Sequence, residues 1–257
     1  MTIEDEVPLD GGNATEGVVH VGDTVRKPWG PTTAAEHELM RTLAAAGIDV
    51  PEARGRDQHG RQILEFVPGT LALHSPQLSF RGLSRVGALI RAIHDASEGF
   101  SPSADAPWQP LLPVPGGATD LICHGDLTPW NLLLGERWVF IDWDGAAPST
   151  RLWDLAYSAQ AFTLNDASAD PADSAARLAA LVDGYGADAD LRVCLPRAMA
   201  ERTEAMHEML REAHAVGREP WGSMFAEGHG EHWRTAAAYV AVHEPLWART
   251  LTDAASA

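Results

Sequence analysis

Asp126, Asn131 and Asp142 are the residues whose types and spacing could do chemistry. The first two stand in Cys123-His124-Gly125-Asp126-Leu127-Thr128-Pro129-Trp130-Asn131, and the third follows in Ile141-Asp142-Trp143-Asp144. Phosphoryl transfer needs this set. One carboxylate takes the proton of an attacking hydroxyl, while an amide and a second carboxylate hold magnesium on nucleotide phosphates. Residues 132–134 and 138–141 read as two short strands around Gly135-Glu136-Arg137, a hairpin that folds Asp142 back beside Asn131. A metallohydrolase site built from His124, Asp126, Asp142 and Asp144 is the rival reading. One histidine among oxygen donors suits magnesium and a phosphate-bearing substrate better than a soft metal.

The elements that must position these groups begin with short strands. Val7-Pro8-Leu9, then residues 18–21 and 24–27, alternate in strand fashion, with Gly22-Asp23 as a hairpin turn. Alternation puts Val25 and Lys27 on one face and Arg26 on the other. A helix is expected from Pro31 to Ala46, capped near Thr32 or Thr33 and ended by Gly47. Leu39, Met40 and Leu43 mark its buried side. At 100° per residue Glu36 falls in the middle of that side and Glu38 nearly opposite, so Glu36 needs a cation and Lys27 is the nearest. Residues 60–69 form a strand running into Pro68-Gly69. Leu83, Val86, Leu89, Ile90 and Ile93 mark a helix over 80–97, the Pro- and Gly-bearing stretch 99–119 a loop, and Arg151 the start of another helix. From Ala172 onward the chain is almost entirely helical by periodicity. There Glu201, Glu204, Glu208 and Glu212 share one side, partly neutralised by Arg202 and Arg211, and Met199, Met206, Met209, Leu210 and Ala213 the other.

The H-x-D-x-x-x-x-N segment with its following hydrophobic-Asp resembles the aminoglycoside phosphotransferase and choline kinase-like family. The resemblance runs from about Gly11 to Ala156. It implies an α+β, two-lobed protein-kinase-like fold, with a small antiparallel sheet and helix over 1–69 and a larger helical lobe over 70–257. It also implies a small-molecule kinase that uses ATP or GTP and Mg2+. In that frame Asp126 is the catalytic residue and Asn131 and Asp142 are the metal ligands. Lys27, oriented by Glu36, holds the α/β phosphates. Gly11, Gly12 and Asn13 lie where the family has its nucleotide-positioning loop, and Glu65 and Val67 would offer hinge backbone to the purine. Asp154, in Trp153-Asp154-Leu155-Ala156, matches an element that braces the catalytic loop. Trp143-Asp144 stands where many kinases have Phe-Gly, which leaves Asp144 open as metal ligand, acceptor contact or helix cap. No G-x-x-x-x-G-K-[ST] motif occurs, so a P-loop enzyme is not supported.

Composition bounds the partners. The chain of 257 residues is 45% hydrophobic and 21% charged, an ordinary globular balance. With 36 acidic against 19 basic residues the net charge is −17, which argues against nucleic acid and favours a cationic ligand. Glu201, Glu204, Glu208 and Asp144 are the candidate acceptor contacts on that reading, and an aminoglycoside or other basic antibiotic the leading acceptor. A metabolic kinase for an amino alcohol or sugar, and a catalytically idle kinase-like binding or immunity protein, are the alternatives. No apolar run approaches membrane-spanning length, the N-terminus lacks the pattern of a signal peptide, and two cysteines make no disulfide framework. A cytoplasmic location is expected.

Overall fold

The computed structural model describes residues 6–9, 17–102 and 105–253. Strands β1 (Val7–Pro8), β2 (Val19–Val21), β3 (Thr24–Lys27), β4 (Ala53–Arg56) and β5 (Gln62–Glu65) form an antiparallel sheet in the order β1-β2-β3-β5-β4. Two residues, Gly22 and Asp23, join β2 to β3, and Val21 pairs with Thr24 across them. Lys27 is buried at the end of β3, opposite Gln62 of β5. Arg26 points the other way, to Asp57 and the Thr24 hydroxyl. Helix α1 (Thr33–Ala45) closes one face, with Glu36, Leu39, Met40 and Leu43 buried and Glu38 exposed, as the 3.6-residue phase requires.

Beyond Gly69 the chain builds its larger, helical part. Strand β6 (Thr70–Leu71) adds to the hairpin of β8 (Leu132–Leu134) and β9 (Trp138–Phe140), in the order β6-β8-β9. Strand β7 (Leu121–Cys123) pairs with β10 (Ala147–Ser149), so the segment carrying Asp126, Asn131 and Asp142 enters and leaves through one antiparallel pair. Helices α2 (Phe80–Ser97), α3 (Arg151–Thr163), α4 (Pro171–Tyr185) and α5 (Ala189–Val216) pack beneath it, followed by α6 (Trp221–Met224), α7 (Gly230–Val242) and α8 (Glu244–Asp253). Helices α2 and α4 touch backbone to backbone: a Cβ on Gly87 would sit 2.0 Å from the Leu181 carbonyl, and one on Gly184 2.1 Å from that of Ser84. Side chains cap α2 (Ser79), α3 (Thr150), α4 (Asp170) and α5 (Asp188), whereas Thr32, at the N-cap of α1 with helical backbone angles, makes no capping hydrogen bond, which corrects the expected cap there. A continuous core joins Leu39, Met40 and Leu43 of α1 to Leu83, Ile90, Leu155 and Leu178 of the helical part, which holds the sheet against the catalytic segment. Among the described residues no helix is long and apolar enough to cross a membrane.

Candidate active site

The catalytic loop is held from below by buried polar groups. His124 follows β7 and is fully buried, its ring 4.4 Å from that of Trp143. Its Nδ1 accepts the Asp126 N–H at 3.2 Å, and its Nε2 lies 3.1 Å from the Ile141 carbonyl oxygen, to which it donates. Both ring nitrogens are therefore spent on backbone, and burial lowers the imidazole pKa, so the ring is neutral. His124 is a brace between the two halves of the site, which removes the histidine from the metallohydrolase reading. The next residue, Gly125, has φ +81°, and a Cβ there would lie 2.6 Å from the Gly145 carbonyl. Its N–H donates to Asp154 Oδ1 at 3.0 Å, while Asp154 Oδ2 lies 3.0 Å from His94 Nε2, and His94 Nδ1 2.9 Å from the Tyr185 hydroxyl. Asp154 thus ties α2, α3 and α4 to the loop through a chain of hydrogen bonds.

Asp126 sits on this support with its carboxylate already engaged. Asn131 Nδ2 donates to Asp126 Oδ2 at 2.8 Å and to its main-chain carbonyl at 3.1 Å. The indole N–H of Trp130 reaches both oxygens, at 3.1 and 3.2 Å. Burial pushes the Asp126 pKa up to about 6; Trp130 and Thr128 pull it down by hydrogen bonding, the charge of Asp142 adds to the rise, and Arg202 opposes it. That value places the carboxylate ionised near neutrality, yet basic enough to take a hydroxyl proton.

Beside this loop, Asp142 is the one non-glycine residue with positive φ (66°) among the described residues. Left-handed backbone costs an aspartate less than most side chains, and it turns the carboxylate out of the β9 line toward β3. There it meets Lys27, whose Nζ pairs with Asp142 Oδ1 and, at 2.7 Å, with Asp144 Oδ2. Burial opposes the charge on Lys27, but the two carboxylates prevail and raise its pKa above the ordinary lysine value. The expected pairing of Lys27 with Glu36 is corrected by this geometry: Asp142 and Asp144 take the ammonium. Glu36 is buried at 2% exposure with Oε1 lacking a hydrogen-bond partner. Burial pushes its pKa up to about 7, against the pull of the Thr32 hydroxyl. Asp144, left open by the sequence, is a second counter-ion to Lys27 and not a cap.

The remaining expectations divide. Gly11, Gly12 and Asn13 lie outside the described residues. Glu65 N–H is already bonded to the Glu52 carbonyl (2.9 Å), and its side chain joins Arg137 at 2.5 Å, tying β5 to the β8–β9 turn. Val67 is buried just beyond β5. Glu201 pairs with Arg197 at 2.7 Å and Glu208 with Arg211 at 2.6 Å. Glu204 is exposed, 4.0 Å from His207. Among the described residues, none of these carboxylates has a hydrogen bond or ion pair to the catalytic loop. Arg202, expected on that solvated side, is instead buried at 4% exposure. It falls in the i, i+4, i+3 row of Arg202, Met206 and Met209, all buried, and that spacing was the signal for it.

With this geometry established, the relatives become informative. Residues 105–197 match the family model described as a phosphotransferase enzyme family, a span that holds Asp126, Asn131, Asp142 and Asp154. That match spans residues 105–197 alone. The chain is also 31% identical over 152 residues to a trifolitoxin immunity protein of Rhizobium leguminosarum bv. trifolii, a match covering 57% of this chain and only 58% of that protein's length. Among solved structures it resembles a choline/ethanolamine kinase family protein from Mesorhizobium loti, with a TM-score of 0.60 at 19% identity over 98% of this chain and 93% of the other. It also resembles an amicoumacin kinase, with a TM-score of 0.63 at 12% identity over 88% and 86%. The fold is kinase-like.

Proposed function

We propose that the protein transfers the γ-phosphoryl group of ATP or GTP to a hydroxyl of a small molecule. The observation that carries this reading is the convergence of Asp126, Asn131, Asp142 and Lys27 from three separate segments, Asn131 on Asp126 and Lys27 on Asp142. Asp126 accepts the hydroxyl proton, and the Asn131 amide fixes the carboxylate that does so. Lys27 lies against Asp142, so a phosphate entering beside that aspartate meets the ammonium. Asn131 uses its N–H groups on Asp126, which leaves its carbonyl oxygen for another partner, and Asp142 supplies a second hard oxygen donor. Both fit magnesium. Bound there, magnesium would neutralise the charge developing on the phosphates.

The family of residues 105–197 supports the phosphotransfer chemistry. The immunity designation of the 31%-identical relative supports a protective role against a toxic compound, such as an antibiotic. The net charge of −17 supports a cationic acceptor, whereas Glu201 and Glu208, each paired with its own arginine, add little to it. An amino alcohol is the second reading, favoured by the fold shared with the choline/ethanolamine kinase family protein. A cytoplasmic location belongs to the same proposal: Cys123 and Cys194 are free thiols.

The test is acceptor-dependent release of nucleoside diphosphate, with ATP or GTP and magnesium, over a panel of aminoglycosides, other basic antibiotics, amino alcohols and neutral alcohols. The phosphorylated product is confirmed by mass. Asp126→Asn is expected to lower turnover about 10²–10⁴-fold at unchanged nucleotide affinity. Asp142→Ala is expected to weaken magnesium-nucleotide binding in calorimetry. Turnover of Asp126→Asn equal to that of the unaltered protein overturns the reading.

A further inference from the structure

Asp126 is joined to the helical part by an aromatic layer that general phosphoryl-transfer chemistry does not require. The Trp130 indole donates to both Asp126 oxygens. Its ring meets that of Tyr157 on α3 edge-on, with centroids 6.1 Å apart. Over the Tyr157 ring, 4.0 Å from its centroid, lies the Arg202 guanidinium from α5, which also reaches the Trp153 ring at 5.7 Å. Tyr157 is 4% exposed and its ring packs against Trp233 of α7 at 6.0 Å, in a cluster with Met206, Met209 and Leu210. Arg202 Nη1 is buried without a hydrogen-bond partner. A buried guanidinium with no carboxylate paired to it among the described residues is costly. The cost is offset in part by the two ring faces.

We propose that Trp130 is a positioning residue for Asp126, and that Arg202, acting through Tyr157, holds Trp130 in place. Resting on the phosphotransfer reading, this assigns each oxygen of Asp126 a role. Oδ2 accepts from both Asn131 and Trp130, whereas Oδ1 has the Trp130 bond but none from Asn131, and is the oxygen that faces the acceptor hydroxyl. The carboxylate cannot rotate without breaking its bonds to both donors. The charge of Arg202 also reaches Asp126 and Asp154, on either side of the loop backbone, and so favours the loop in this position. Helices α3, α5 and α7, whose side chains build the layer, thereby set the aim of the base.

Trp130→Phe keeps a ring in the layer and removes the N–H. Its kcat should fall about 10–100-fold, the rate equivalent of one hydrogen bond to a charged group, while magnesium-nucleotide affinity and the nucleotide KM are unchanged. Arg202→Met should lower kcat as well, and Arg202→Lys should recover part of it, since an ammonium also lies well on a tyrosine face. In the Trp130→Phe/Arg202→Met double variant the two losses should be far from additive, because both act through one indole. Should Arg202→Met fail to fold, Arg202→Lys paired with Trp130→Phe closes the same cycle. Unchanged kcat in Trp130→Phe, or additive losses in either cycle, overturns the proposal. Asp126→Ala run in parallel separates the two levels. If it turns over like the unaltered protein, the phosphotransfer reading has failed; if it is inactive while Trp130→Phe is normal, only the positioning role has.

Discussion

Glu36→Gln offers a quantitative test of how the sheet, α1 and the catalytic segment fit together. Glu36 is 2% exposed, and Lys27, the cation that would neutralise it, is drawn instead to Asp142 and Asp144. Burial, with the like charges of Asp144 and Asp142, moves its pKa from 4.5 to about 7, while Thr32 and Lys27 oppose the shift. The folded state therefore holds the proton more tightly than the unfolded chain. The group costs stability when ionised. That cost is absent below the unfolded value, grows as the pH rises from about 4.5 to 7, and is complete above. At 1.36 kcal/mol per pKa unit the penalty is about 3 kcal/mol near pH 8 and under about 1 kcal/mol near pH 5. Glutamine keeps the shape and removes the ionisation, so the variant should be the more stable protein, by roughly that amount near pH 8 and by much less near pH 5. Urea unfolding without nucleotide or metal, at both pH values, measures the difference. Stability gains that do not change between the two would refute the reasoning, and a destabilised variant near pH 8 would show that Glu36 has a cationic partner after all.

Three further outcomes follow from the geometry. The acid limb of kcat/KM should fall near pH 6, because Asp126 must be ionised to take the acceptor proton and burial raises its pKa to about 6; a limb near pH 4 in the pH-rate profile would contradict the burial argument. Gly125→Ala should cost about 2 kcal/mol or more and abolish turnover, since the new Cβ lies 2.6 Å from the Gly145 carbonyl at φ +81°; a thermal melt and activity equal to the parent would refute it. Glu204→Gln with Glu208→Gln should leave the acceptor KM unchanged at low and high salt, because Glu204 is exposed and Glu208 is paired with Arg211; a salt-sensitive rise in KM would restore that face to the acceptor site.

What the sequence determined by itself was local. Asp126 and Asn131 share one loop, and the β8–β9 hairpin returns Asp142 beside them, so spacing alone brings the three together. Strand alternation separated Lys27 from Arg26, and helix phase separated Glu36 from Glu38, because each depends only on a fixed angle per residue. Tertiary structure decided where charges found partners. Lys27 had three carboxylates to choose from, and the left-handed backbone at Asp142 with the short turn through Asp144 delivered two of them ahead of Glu36. Arg202 reads as a neighbour of Glu201 and Glu204 along the chain, yet it lies in the buried row of α5. Only the approach of α3 put Tyr157 beneath its guanidinium. The role of Trp130 was hidden for the same reason. An indole in a loop has no period to fix its direction, and its contacts with Asp126 and Tyr157 exist only once the loop is folded against the helices.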